Sequence, residues 1–293
     1  MAGTQIGSST NFPQGFANGL SVRGIPLLQA QTGKVFFVGN NSAALSSNQR
    51  SGSDSNRGTF LDPFATLAYA VNTACLQGRG DIVFVLPGHA ENVSAATTLP
   101  LACNNVAIIG LGAGNLRPTF TLDTAATATI QVRAANISAQ NCVFLHNFID
   151  ITSTFTCVGA SVTASVAVGT APGTVAGVGG VMTVTVLGSG TLYPGAYITG
   201  TAIPKNVFIV SQLTGTTGGV GTYQLNQSFT FASGTITTGA AELALDACEF
   251  RDLSSALNSL AIVTTTANNG CDDGLSITNS KIPGLGATAN TQV

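Results

Sequence analysis

Four segments of this chain share one pattern, a polar lead-in followed by alternating apolar residues: NNVAIIGLG from Asn104, ANISAQNCVF from Ala135, AELALDACEF from Ala241 and DGLSITNSKI from Asp273. Their first apolar positions are Val106, Ile137, Leu243 and Leu275, spaced 31, 106 and 32 residues apart. Alternation at period two marks strands with one buried face, and its return after a fixed interval is the mark of a repeating coil. The middle spacing exceeds one period by 75 residues, which is what a single insertion into one turn would produce. Further strand-like pieces, PTFTL from Pro118, ATIQV from Ala128, TFTCV from Thr154 and LAIVTT from Leu260, lie between the aligned ones. Several strands per period with no helices between them predict an all-β chain wound as a parallel β-helix. In that register Cys142, Cys248 and Ser280 fall at equivalent places, predicting an inward stack of small side chains.

One segment departs from the pattern, GTFLDPFATLAYAVNTACLQGRGDIVFVLPGHAENV from Gly58. Asp62 suits an N-cap, Pro63 the first helical position, and Phe64, Leu67 and Val71 recur at helical spacing, so a helix is predicted from Pro63 to about Leu76. Gly78 and Gly80 end it, and DIVFVLPG follows as an apolar run of strand length that ends at Pro87 and Gly88. A coil leaves unpaired backbone groups at each end. The Phe64/Leu67/Val71 face is therefore expected to cap the first turn, which explains a helix that occurs once.

Composition narrows the class. Only 8% of residues are charged and the net charge is −2, so the chain carries no basic footprint for nucleic acid. The 35 glycines, 15 phenylalanines and absent tryptophan point to turns and strands. No apolar run has the length of a membrane span, and the start MAGTQIGSSTNF lacks the charged and apolar regions of a signal peptide, so synthesis in the cytoplasm is expected. The excess maps to about 161–238, where Lys205 is the one charged residue among Gly, Pro and Thr turns; a small antiparallel barrel or sandwich is expected to protrude there. The division predicted is an extended arm over 1–57, the first part of the coil with its capping helix over 58–160, an inserted β-rich domain over 161–238, and the last part of the coil with a tail over 239–293.

Candidate chemistry is sparse. Asp246, Glu249 and Asp252 lie close together around Arg251, read here as a solvated edge, with calcium binding or catalysis as the alternative. Asp272-Asp273-Gly274 reads as a turn. His89 and His146, the two histidines, have no companion nucleophile in a motif and are expected to be structural. IIGLGAGN from Ile108 has the glycines of a dinucleotide loop, but LRPTFTL follows where a helix must begin. Arg79-Gly80-Asp81 is a turn between helix and strand. The six cysteines form no C-x-x-C pair and are read as buried free thiols. No catalytic residue, metal ligand or cofactor is therefore assigned.

The opening GTFLDPFATLAYAV…GRGDIVFVLPGHAE resembles the N-terminal cap and first coil of the pectin-lyase-like right-handed β-helix superfamily. GTLYPGAYITGTAIPKNVFIVSQLTGTTGGVGTYQLN is similar to a module recurrent in tailed-bacteriophage structural proteins. Together the likenesses cover about residues 58 to 290. They imply a virion protein, with threefold side-by-side association as such coils generally show. The enzymes of that superfamily need paired acids or a calcium cluster, and glycan-cutting spikes need aromatic platforms; this chain is poor in both. The favoured function is a non-enzymatic capsid decoration (cement) protein, a homotrimer on the major capsid protein or another virion protein. The alternative is a tailspike or fibre that recognises, or less readily cleaves, a host glycan. The arm, with Phe12, Phe16, Leu20, Val22, Arg23, Ile25, Leu27 and Leu28 among Gly and Pro, cannot bury its apolar groups on itself and is expected to order on the shell or a neighbouring subunit, the alternative being that it packs along its own coil.

Overall fold

A computed structural model describes residues 20–22, 25–27, 33–40, 43–45, 48–94, 99–167, 180–239, 242–253, 261–265 and 274–282. The protein is mostly β, with three parallel sheets and one large antiparallel sheet. The first parallel sheet takes, in spatial order, Val35–Val38, Ile82–Val85, Val106–Gly110, Ile137–Gln140, Glu242–Asp246 and Gly274–Thr278. The second takes Ala90–Val93, Thr119–Leu122, Val143–His146 and Glu249–Asp252; the third takes Leu99–Leu101, Ile130–Val132, Phe155–Cys157 and Val263–Thr265. From Ile82 onward these strands follow one another along the chain as first, second and third sheet, then first again, so each pairs with the strand of the previous circuit. Val106, Ile137, Leu243 and Leu275 are aligned as successive Cα partners, matching the 31-residue period.

Alternation explains the core. Val106, Ile108, Ile137, Ala139, Leu243 and Leu245 of the first sheet face Phe120, Leu122, Phe144 and Phe250 of the second and Ile130, Val132, Phe155 and Cys157 of the third in one buried cluster. Identical residues stack where the register repeats: Phe120, Phe144 and Phe250 are Cα partners with ring centroids 5.8 and 5.3 Å apart and planes within 25°. Ile82–Val85 is buried on both faces, because Ile82, Phe84 and Leu86 meet Ile109, Leu111, Phe37, Ala43 and Leu45 on the outer side of the sheet. That second environment is why DIVFVLPG reads as an unbroken apolar run.

The corners between the first and second sheets need a left-handed residue. Asn141 (φ 57°), Ala247 (φ 51°) and Asn279 (φ 49°) follow the aligned residues Gln140, Asp246 and Thr278 on successive circuits. Asparagine tolerates this region, whereas alanine pays about 1 kcal/mol there. Ala247→Asn is therefore expected to raise the stability of the chain by about 0.5–1 kcal/mol, read as a higher urea midpoint at unchanged slope. An unchanged or lower midpoint would show that this corner carries no strain that asparagine relieves.

The helix is shorter than its sequence pattern. It spans Leu67–Tyr69 and continues as a π-helical turn over Ala70–Ala74. Its N-cap is Thr66, whose Oγ1 accepts from Tyr69 N at 3.2 Å, while Asp54 Oδ1 accepts from Ala65 N and Thr66 N at 3.0 Å each. Asp62 is not the cap. Phe64 N donates to Phe37 O and Gly39 N to Phe64 O, so residue 64 lies extended beside Val38, and strand pairing overrides the helical periodicity. Residues 35–38, assigned from sequence to the extended arm, are likewise a strand of the first sheet.

Between Phe155–Cys157 and Glu242–Asp246 the chain builds the antiparallel sheet, ordered Tyr197–Thr199, Phe231–Gly239, Ala160–Ala167, Val181–Gly190, Gly221–Leu225 and Ile209–Gly215. Its two ends meet. Ile198 N donates to Val207 O at 2.9 Å and Ile209 N to Ala196 O at 3.0 Å, which satisfies both edges of Tyr197–Thr199. Val162, Met182, Val184, Ile198, Ile209, Tyr223, Leu225 and Ile236 fill a separate core. Cys75, Cys103, Cys142 and Cys248 are buried free thiols, and burial raises each of their pKa values. Cys157 departs from the sequence expectation: it is disulfide-bonded.

Candidate functional site

Asp246, Glu249 and Asp252 do not converge. Each turns to a neighbouring circuit, because the parallel register sets long polar side chains beside their counterparts above and below. Asp246 accepts from Thr278 Oγ1 at 2.7 Å, Asn279 Nδ2 at 2.9 Å and Gln140 Nε2 at 3.1 Å, and these donors, Thr278 foremost, hold its pKa below the ordinary value. Glu249 is 5% exposed, which corrects the reading of a solvated edge. Arg251 grips it through two hydrogen bonds of 2.8 Å, Arg117 Nη1 reaches it at 3.0 Å and Lys281 Nζ at 3.1 Å. The Arg251 contacts, reinforced by Lys281 and opposed by burial, lower its pKa to about 2. Arg117 Nη2 also donates to Cys142 O and Ala247 O, so this one guanidinium ties three circuits at the corner. The arrangement around Glu249 is a staple.

The histidines are buried. His146 Nδ1 lies 3.2 Å from Asp252 Oδ1 and Nε2 lies 2.8 Å from Thr154 Oγ1. Acid, imidazole and hydroxyl in that order make a nucleophile relay when a substrate can reach the hydroxyl. Here His146 and Thr154 are both 0% exposed, so the chain of bonds ties the second sheet to the third. Desolvation lowers the His146 pKa against the opposing pull of Asp252, which favours the neutral ring. His89 Nδ1 accepts from Asn40 N at 3.1 Å, which places its proton on Nε2, 3.2 Å from Glu91 Oε2; the same carboxylate oxygen accepts from Leu67 N at 3.0 Å. Among the described residues no group of three or more His, Cys, Asp or Glu could hold a metal ion.

Phe64, Leu67 and Val71, the expected cap face, are buried in the principal core beside Val38, Val85 and Leu101. Of the arm residues, Leu20–Val22 pairs antiparallel with Ile25–Leu27 as a hairpin, Leu20 opposite Leu27 and Val22 opposite Ile25. Phe12, Phe16, Arg23 and Leu28 lie outside the described residues, as do Cys271, Asp272 and Asp273.

A cleft of about 640 Å³ opens where the antiparallel sheet meets the parallel stack, lined among others by Asn136, Tyr197, Thr199, Ile203, Lys205 and Glu242. The junction itself is polar. Arg133 lies 4.4 Å over the Tyr193 ring, and Ala135 N donates to Gly195 O at 3.3 Å. Asn136, at φ 55°, donates from Nδ2 to Asn105 Oδ1 at 2.9 Å and to the Tyr197 hydroxyl at 3.0 Å. Sequence reasoning singled out none of these residues as a site. The isolation of Lys205 within an uncharged stretch was the one available signal, since its partners on the wall are distant in the chain.

Among the described residues no helix is long and apolar enough to cross a membrane. Comparison of the chain with known protein families, with curated proteins and with solved structures finds no match in any of the three.

Proposed function

We propose that this chain is a right-handed parallel β-helix that serves as a non-enzymatic structural protein of a tailed-bacteriophage virion, a capsid decoration (cement) protein bound to the head shell as a homotrimer. The observation that carries the reading is the placement of the acids and imidazoles. Asp246, Glu249, Asp252, His89 and His146, the groups from which a superfamily enzyme would build its site, are each engaged in contacts that hold the stack together. Rotation of the strands through three parallel sheets supports the coil. The charge-poor surface, with exposed Val186, Leu187 and Leu213 on the antiparallel sheet and Val220 in one of its turns, supports association over catalysis.

Attachment to the shell is assigned to the arm, which precedes the strand at Val35–Val38. Three arms on one trimer hold by effective concentration even where each alone is weak. The test is removal of residues 1–32. The truncated chain is expected to keep its circular dichroism and thermal transition, remain trimeric by light scattering, and lose about tenfold or more of its attachment to particles. A monomer at micromolar concentration overturns the trimer, and full decoration by the truncated chain overturns the anchoring arm.

A further inference from the structure

The cleft between the antiparallel sheet and the parallel stack presents two charged side chains, Lys205 and Glu242, that have no ion pair among the described residues. We propose that it binds a saccharide carrying a carboxylate, with Lys205 taking the acid group and Tyr197, Asn136 and Glu242 the hydroxyls. Lys205 is the one charged residue between 160 and 239, and it stands exposed on the wall of this cleft with no ion pair among the described residues. A charge kept in an otherwise neutral segment, and placed on the wall of a cleft, has a ligand's charge as a natural counterpart. Glu242, also exposed and without an ion pair among the described residues, lines the same cleft. Asn136 and Glu242 immediately precede Ile137 and Leu243, which are Cα partners on adjacent strands, so the two residues are neighbours along the stack.

Between them the Tyr197 hydroxyl accepts from Asn136, which leaves its own proton available to donate, and leaves Asn136 Oδ1 available to accept. The Tyr197 ring is held edge-on by Phe208 at 6.1 Å, so the hydroxyl is presented on a fixed support. Thr199 continues the wall, with its hydroxyl 2.7 Å from that of Thr237. Donors, acceptors and one cation thus line the same cleft.

Other ligand classes fit this lining less well. A phosphate, carrying close to two negative charges, would have the single cation Lys205 to hold both beside the Glu242 carboxylate, whereas a carboxylate brings one. A divalent cation would find one carboxylate where several oxygen anions are needed. A peptide strand has no edge to join, because Tyr197–Thr199 is hydrogen-bonded on both sides. A ring bearing hydroxyls that both donate and accept, together with one carboxylate, uses every group present. The inference does not rest on the assembly proposed above, because a shell-bound or a free chain presents the same cleft.

The test uses the full chain and matched disaccharides with and without a carboxylate, cellobiuronic acid against cellobiose and two further pairs of different linkage, read by saturation-transfer NMR and calorimetry. At least one acid is expected to bind more tightly than its neutral partner. Lys205→Gln is expected to weaken the acid about tenfold and leave the neutral sugar unchanged. Tyr197→Phe, which keeps the ring on Phe208, and Glu242→Gln are expected to weaken both, with unfolding temperatures unaltered. Failure of every acid to bind at about 10 mM, or binding that all three variants leave intact, overturns the proposal.

Discussion

Phe144→Ala is expected to lower the stability of the chain by about 3–5 kcal/mol, the largest effect of any single substitution considered. Phe144 is 2% exposed and occupies the middle of the ring stack, with Phe120 on one side, Phe250 on the other and Phe155 edge-on at 5.0 Å. The separation of the neighbouring rings is set by backbone hydrogen bonding between circuits, so Phe120 and Phe250 cannot close over the space a benzyl group leaves. A site that cannot collapse belongs at the upper end of the range for large-to-small changes. A loss of that size is a large part of the roughly 5–15 kcal/mol that a domain has in total. Phe60→Ala serves as the comparison: Phe60 is 41% exposed and touches Phe37 edge-on, so its removal is expected to cost under about 1 kcal/mol. Urea unfolding of both variants checks the pair, and equal losses would mean that the stack is no better packed than the surface.

Glu249→Gln is expected to cost about 2–3 kcal/mol near neutral pH and almost nothing near pH 2. The folded-state pKa of Glu249, about 2, is depressed from the ordinary 4.5. A carboxylate depressed in this way contributes stability that is fully present above about pH 4.5 and is lost as pH falls through about 2. At about 1.4 kcal/mol per unit that difference corresponds to about 3 kcal/mol. The lower bound reflects screening at Arg251 and Lys281, whose side chains are 43% and 72% exposed, whereas Arg117 is 16% exposed and loses a partner that water replaces poorly. Stability measured against pH should therefore show the native chain falling toward the variant between pH 4.5 and 2, with the two curves meeting at the acid end. Parallel curves at a constant offset would show that packing of the side chain, and not its charge, is what the substitution removes.

Much of the parallel stack was legible because its determinants are local and repeat. Val106, Ile137, Leu243 and Leu275 could be aligned from the sequence since the register of parallel strands is carried by alternation, and a slip of one residue would expose every buried side chain. The corner asparagines could be placed only after that alignment. The candidate site was much less legible. Asp246, Glu249 and Asp252 look alike in sequence, three acids spaced by three residues. Their roles diverge because the circuits above and below set Thr278, Arg117 and His146 against them, from 32, 132 and 106 residues away.

The sequence by itself determined the strand class, the period, the buried alternation of the strands at Val106, Ile137 and Leu243 and the interruption between the second and third aligned segments, because these follow from hydrophobic alternation and glycine placement within a few tens of residues. Tertiary structure decided where the helix begins, since Phe64 gives up helical geometry to pair beside Val38. It decided that Glu249 is buried, that Cys157 is oxidised while four other thiols stay free, and that Asn136, Tyr197, Lys205 and Glu242 share one cleft. Each of these depends on which residues meet across long separations in the chain, and burial and charge pairing are properties of the meeting rather than of either residue alone.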